Sequence, residues 1–176
     1  MKFLISIFTV LFCITTYAND GIFSYTLKDA KGEDYSFSKL KGKPFVLVNI
    51  ATKCGFTGQL DDLEVVYNKY KDKGLIIVGI PSNDFMGQTP ESNEKVAEFC
   101  RLKYGVKFPV MSKIVVKGDE MHPMIKDLLK IADVGSIKWN FEKFIFNKKG
   151  EFIDHFMSLT NPQDDKFIKA IEISLK

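Results

Sequence analysis

An α/β fold with a parallel strand, helix, strand unit at its centre is predicted by three stretches of this 176-residue chain. Residues 45–50 (FVLVNI) and 75–80 (LIIVGI) are short, bulky, largely β-branched runs bounded by turn residues, the pattern of strands buried on both faces. Between them Leu60, Leu63, Val66, Tyr67 and Tyr70 recur at helical spacing. A crossover of this kind is right-handed and lays the two strands side by side in parallel.

The other elements follow in order. Apolar alternation in 21–27, a turn at 29–32 and a return through Tyr35 and Phe37 predict an N-terminal β-hairpin, lying over the fold as a lid and outside its core. Lys41-Gly42-Lys43-Pro44 punctuates the chain before the strand at 45–50. The central helix is expected over 58–73, with Gly74 ending it. Further helices are expected from Pro90 to Tyr104, with Pro90 in the first turn, and from His122 to Lys130. Phe144–Asn147 and Phe152–Phe156, joined through Lys148-Lys149-Gly150, predict a closing antiparallel hairpin. With 45% hydrophobic residues and no break in composition, residues 19–176 suffice for one domain.

Residues 1–18 separate from that domain. Lys2 precedes an apolar stretch from Phe3 to Cys13, then polar residues, then Thr16-Tyr17-Ala18 with small residues at the outer positions, the signature of a secretory signal peptide. The stretch is too short for the roughly 20 residues that span a bilayer, and bulky Phe12 argues against a lipid-modified Cys13. The expectation is an exported protein, periplasmic or secreted. Loss of Lys2 lowers the formal charge from +3 to +2; the lysines are scattered and the aromatic residues lie within apolar runs, so neither nucleic-acid binding nor stable membrane insertion has support.

Removal of the leader leaves Cys54 and Cys100. An oxidising compartment lets them pair, and a static disulfide closing this loop of 100 − 54 = 46 residues contributes roughly 4 kcal/mol. The position of Cys54 suggests a second reading. The strand delivers it to the start of the helical pattern, where unpaired amides and the helix dipole favour a thiolate. Local sequence narrows the chemistry. Thr57 stands where a Cys-x-x-Cys exchange enzyme has its second cysteine, and Ala51 where a peroxiredoxin is expected to carry threonine. Cysteine hydrolases require a histidine base, yet the only histidines are His122, opening a helix, and His155, in the closing hairpin; neither has a partner at metal-ligand spacing. These residues alone leave a redox thiol and a structural half-cystine both open.

Four blocks carry the reading further. NIATKCGFTGQ, then IPSNDFMGQTPESNEKVAEFC, YGVKFPV and KWNFEKF, in this order, make the chain resemble the glutathione peroxidase family over nearly its whole mature length. The resemblance implies a thioredoxin-like fold, a central mixed β-sheet flanked by helices, and reduction of hydrogen peroxide and organic or lipid hydroperoxides without a cofactor. It assigns Cys54 as the peroxidatic residue, Gln88, Trp139 and Asn140 as its catalytic partners, and Cys100 as the resolving cysteine of members recycled by a thioredoxin-like dithiol. The short stretch between Pro123 and Trp139 lacks the insertion that supports tetramers and glutathione contacts in larger members, which implies a monomer with an open site and makes glutathione the weaker donor. Ser82-Asn83-Asp84 departs from the Cys-Asn-Gln of many members, and Met86 and Thr89 replace commoner residues around Gln88. Two alternatives use the same cysteines: a non-catalytic domain stapled by a disulfide, and a peroxide sensor relaying oxidation to a partner.

Physical chemistry supports the assigned set. An ordinary thiol of pKa about 8.5 is roughly 3% ionised at pH 7, so complete ionisation gains only about thirtyfold. The larger gain must come from stabilising the leaving oxygen as the O–O bond breaks. The indole N–H of Trp139 and the amide N–H groups of Gln88 and Asn140 can donate to both the sulfur anion and that oxygen.

Overall fold

The structure, a computed structural model, describes residues 21–176, so the predicted signal peptide and Cys13 lie outside the described residues. A 3-10 helix at Gly21–Ser24 leads into an antiparallel pair, β1 (Thr26–Lys28) and β2 (Asp34–Ser36), and a second 3-10 helix at Phe37–Leu40. β3 (Phe45–Ile50), α1 (Gln59–Tyr70) and β4 (Ile76–Pro81) form the expected crossover unit. α2 (Asn93–Tyr104), α3 (Pro123–Ile131), β5 (Lys143–Phe146), β6 (Phe152–Phe156) and α4 (Asp165–Ser174) complete the chain. The main sheet has the order β4-β3-β5-β6; β3 and β4 are parallel and the other pairs antiparallel, which makes it mixed.

The period-2 alternation of β3 divides the interior into two cores. Val46, Val48 and Ile50 face one core, filled by Leu60, Leu63 and Val66 of α1, Val96 and Cys100 of α2, and Phe167 and Ile171 of α4. Phe45 and Leu47 face the other, filled by Met124, Ile125 and Leu128 of α3 and by Ile22, Leu27, Phe37 and Leu40 from the N-terminal segment. That segment is therefore part of the core and not a lid: all four side chains are buried. Leu27, Phe37 and Leu40 each remove a large apolar surface from water, worth about 2 kcal/mol apiece. Gly79 in β4 lets the chain at 109–111 lie alongside; its N–H donates to Pro109 O at 2.9 Å and its carbonyl accepts from Met111 N at 2.9 Å. A Cβ there would meet Ile50 Cδ1 at 3.1 Å.

Boundaries differ from the sequence expectation in several places; residues 21–24 form a 3-10 helix and not a strand, β5 starts one residue early and α3 one residue late. Gly74, with φ +96°, closes a 3-10 turn at Lys71–Lys73 appended to α1, and the second strand lies one residue later, at 76–81. α2 starts at Asn93, not Pro90, because Ser92 caps it by accepting from Lys95 N. α1 starts at Gln59, five residues past Cys54, the intervening chain being a series of turns. The sequence reading contains nothing after Phe156, whereas α4 buries Phe167, Ala170 and Ile171 at helical spacing.

These strand directions position the site. β3, β4 and β6 point the same way and β5 the opposite way, so the ends of β3 and β4 and the start of β5 share one sheet edge. Cys54, Gln88 and the 138–142 turn lie on loops at that edge, where open α/β sheets bind ligands.

Candidate active site

Cys54 is 9% exposed and sits in the turn between β3 and α1. Its Sγ accepts from Phe56 N at 3.5 Å. Phe56 lies three residues before α1 begins, so this donor comes from the turn and not from the helix. Thr57, which the sequence reading treats only as a missing second cysteine, clamps this turn: its hydroxyl accepts from Cys54 N at 3.0 Å and lies 2.8 Å from Cys54 O and 3.1 Å from Ala51 O.

The Gln88 loop is tied to the Cys54 turn through the main chain. Gln88 O accepts from Lys53 N at 3.0 Å and lies 3.2 Å from Thr52 Oγ1. Glu91 reinforces the join, with Oε2 at 2.6 Å from Thr52 Oγ1 and Oε1 at 3.3 Å from Lys53 Nζ. Burial pushes the Glu91 carboxyl up, but hydrogen bonds from Thr52, its own backbone and Lys53, together with the Lys53 charge, outweigh it and hold the group below its usual range. The departures from the family pattern are locally paired. Thr89 Oγ1 donates to Ser82 O at 2.7 Å, Thr89 N donates to Asn83 Oδ1 at 2.8 Å, and Ser82 Oγ donates to Asp84 Oδ2 at 2.9 Å. Met86 is exposed and has φ +55°, in the left-handed region that favours glycine.

The third segment is the turn 138–142. Trp139 is half-buried, packs against both cores and has its ring 5.6 Å from that of Phe85. Asn140 is fully buried, and its Nδ2 donates to Gln88 Oε1 at 3.0 Å, joining two assigned residues that are 52 positions apart. The turn contains a strained residue, Phe141 with φ +67°, and two clamps hold it. Asn49 near the end of β3 donates from Nδ2 to Trp139 O at 3.2 Å and accepts from Glu142 N at 3.0 Å. Glu142, with no exposed surface, accepts from Lys138 N at 2.6 Å and Trp139 N at 3.0 Å through Oε1 and pairs with His155 Nε2 at 2.8 Å through Oε2. His155 therefore has a supporting role in the turn, and His122 caps α3 by accepting from Met124 N at 3.1 Å. Asn49 and Glu142 fall within the motif blocks, but their partners lie across the sheet, so the sequence reading does not find them.

Cys100 lies in α2 with 1% exposure and belongs to the same core cluster as Cys54. Burial pushes its thiol up to about 12, only partly opposed by a backbone hydrogen bond. Both thiols are free, so this conformation contains no staple between them.

A mixed sheet with helices on both faces and a single cysteine on the turn after its central strand defines a thioredoxin-fold thiol protein. Solved structures agree: a thioredoxin-family thiol:disulfide interchange protein from Chlorobium tepidum aligns with TM-score 0.65 at 20% identity, covering 87% of this chain and 94% of that one. Two further solved structures align as well. Trgpx in apo form gives TM-score 0.68 at 35% identity, covering 86% of this chain and 95% of that one; T. cruzi GPX1 gives 0.69 at 28%, covering 88% and 96%. The sequence model described as Glutathione peroxidase matches residues 22–129. Among curated proteins, the glutathione peroxidase-like peroxiredoxin gpx1 of Schizosaccharomyces pombe is 48% identical over 77% of this chain and 88% of its own length. The glutathione peroxidase of Lactococcus lactis is 43% identical over 82% and 94%. The chain belongs to the glutathione peroxidase family, and it is an enzyme of the thiol peroxidase class, an oxidoreductase.

Proposed function

We propose that this protein reduces hydrogen peroxide and organic or lipid hydroperoxides by a two-cysteine cycle. The Cys54 thiolate attacks the distal oxygen of RO–OH; the O–O bond breaks, Cys54 becomes a sulfenic acid, and the departing alkoxide takes up a proton to leave as alcohol or water. Gln88, Trp139 and Asn140 supply the donors that stabilise the departing oxygen. The Cys100 thiol then condenses with the sulfenic acid, forming an S–S bond and releasing water. A thioredoxin-like dithiol reduces that bond and is itself oxidised to a disulfide. Glutathione is the weaker donor.

The observation that carries this reading is the joining of three loops at one sheet edge: Gln88 O bonds the residue beside Cys54, and Gln88 Oε1 bonds Asn140. Two free thiols of unequal burial favour a cycle over a permanent staple. α2 must loosen for the sulfurs to meet, since a disulfide requires Cα atoms within about 7 Å. The predicted leader supports export from the cytosol, and the short stretch between Pro123 and Trp139 supports a monomer; the reductant is then an exported dithiol protein. Peptide mapping after one equivalent of hydrogen peroxide is expected to show Cys54 linked to Cys100; Cys54 recovered only as sulfinic acid, with Cys100 still free, would count against the cycle. A steady-state comparison of hydrogen peroxide, an alkyl hydroperoxide and a lipid hydroperoxide against thioredoxin and glutathione ranks substrates and donors.

A further inference from the structure

Asn49 is buried, 4% exposed, and precedes Cys54 by five positions. Main-chain groups fix the orientation of its amide, because a peptide N–H can only donate and a peptide C=O can only accept. Glu142 N–H donates to Asn49 Oδ1 at 3.0 Å, and Trp139 O accepts from Asn49 Nδ2 at 3.2 Å. The same Nδ2 faces Asn140 Oδ1 at 3.4 Å, so Asn140 must present its nitrogen to the next member. That member is Gln88, whose Oε1 accepts from Asn140 Nδ2 at 3.0 Å. The Gln88 oxygen is thereby occupied, and its Nε2, with two N–H bonds, takes no part in this relay.

We propose that Asn49 is a positioning residue: through Asn140 it sets Gln88 as a hydrogen-bond donor, not an acceptor, toward the reacting sulfur and oxygen. The inference rests on the reading of Cys54 and Gln88 given above. It has a directional consequence. In Asn49→Asp the ionised side chain can only accept, so at a pH that ionises it Asn140 turns its nitrogen toward position 49 and its oxygen toward Gln88. Gln88 then gives its N–H to Asn140 and presents Oε1 to the site. An acceptor replaces a donor beside an anion, while the volume of every side chain is kept.

The test is a double-mutant cycle read as the second-order rate of Cys54 oxidation by hydrogen peroxide in the fully reduced protein. N49D is expected to slow oxidation by about 10- to 100-fold when Gln88 is present and by less than about twofold in a Q88A background. Trp139 is the chain's single tryptophan, so an unchanged emission spectrum in N49D is expected to accompany the slow rate. An equal loss in both backgrounds, together with a shifted emission, would mean that Asn49 only holds the turn, and would overturn the relay. A wild-type rate in N49D overturns it as well. If Q88A alone keeps the wild-type rate, the reading of Gln88 itself fails and the relay falls with it. Should N49D not fold, N49S serves in the same cycle under the same criteria, since its short hydroxyl cannot hold Asn140 and Trp139 O together; its loss is expected at about 3- to 10-fold with Gln88 present and absent in Q88A.

Discussion

The two cysteines occupy different local settings although both are buried against one core. Cys54 is on a turn at the sheet edge, with a peptide N–H at its sulfur and a threonine hydroxyl holding its backbone. Cys100 is inside a regular helix, almost wholly sequestered, and its thiol is pushed up to about 12 by that burial. On the proposed cycle the contrast separates two tasks. A sulfur that attacks peroxide requires access and donors; a sulfur that waits must remain protonated until its helix lets go.

Removing the attacking sulfur tests the contrast most severely. Cys54→Ser is expected to lower peroxidase turnover by about 10⁴-fold or more, measured as peroxide consumed with excess dithiol; Cys100 taking over its role would abolish the distinction. The second largest effect is on alkaline stability. The folded-state thiol of Cys100 is raised above its ordinary value, so the native state keeps a proton that the unfolded chain loses. The resulting stability is present below about pH 9 and is lost as pH rises toward about 12. It amounts to about 4 kcal/mol. Denaturant titrations from pH 8 to 12 are expected to show a steeper fall for the wild type than for Cys100→Ala; parallel curves would show that burial does not raise this thiol.

Two smaller effects sharpen the comparison. Cys100→Ser is expected to leave the first oxidation of Cys54 unchanged while lowering dithiol-driven turnover by about 100-fold, a separation that single-turnover and steady-state measurements read directly. Thr57→Val keeps shape but removes the hydroxyl that holds the Cys54 turn. A loss of about 1–2 kcal/mol is expected in thermal or denaturant unfolding, with slower Cys54 oxidation; a change in stability without a change in rate would show that the turn does not tune the thiol.

Elements with strong local signals were legible. The apolar run FVLVNI, Gly74 and the 148–150 turn each depend on neighbours in sequence; β3 and the end of the α1 segment stand where those signals put them, and the β5–β6 hairpin does so with β5 one residue early. Competing local rules explain some misses. Proline favours a first helical turn, yet Ser92 supplies a better cap two residues after Pro90. The N-terminal hairpin is expected as a lid outside the core, and its burial arises from packing on α3 and β3.

The sequence by itself determined the α/β unit and the family, and it supplied the cast of the proposed site: Cys54, Gln88, Trp139, Asn140 and Cys100 are motif positions. Only the tertiary structure decided what each can do. The hydrogen bonds from Asn140 to Gln88, and from Glu142 to Asn49, span 52 and 93 residues and exist because antiparallel pairing sets β5 beside β3 in one register. Such partners cannot be read from local pattern, since a side-chain amide has two interchangeable ends and its role depends on which end a distant backbone group holds. Burial obeys the same logic: the number of layers closing over Cys100 is a property of the packed helices and not of the residues beside it in the chain.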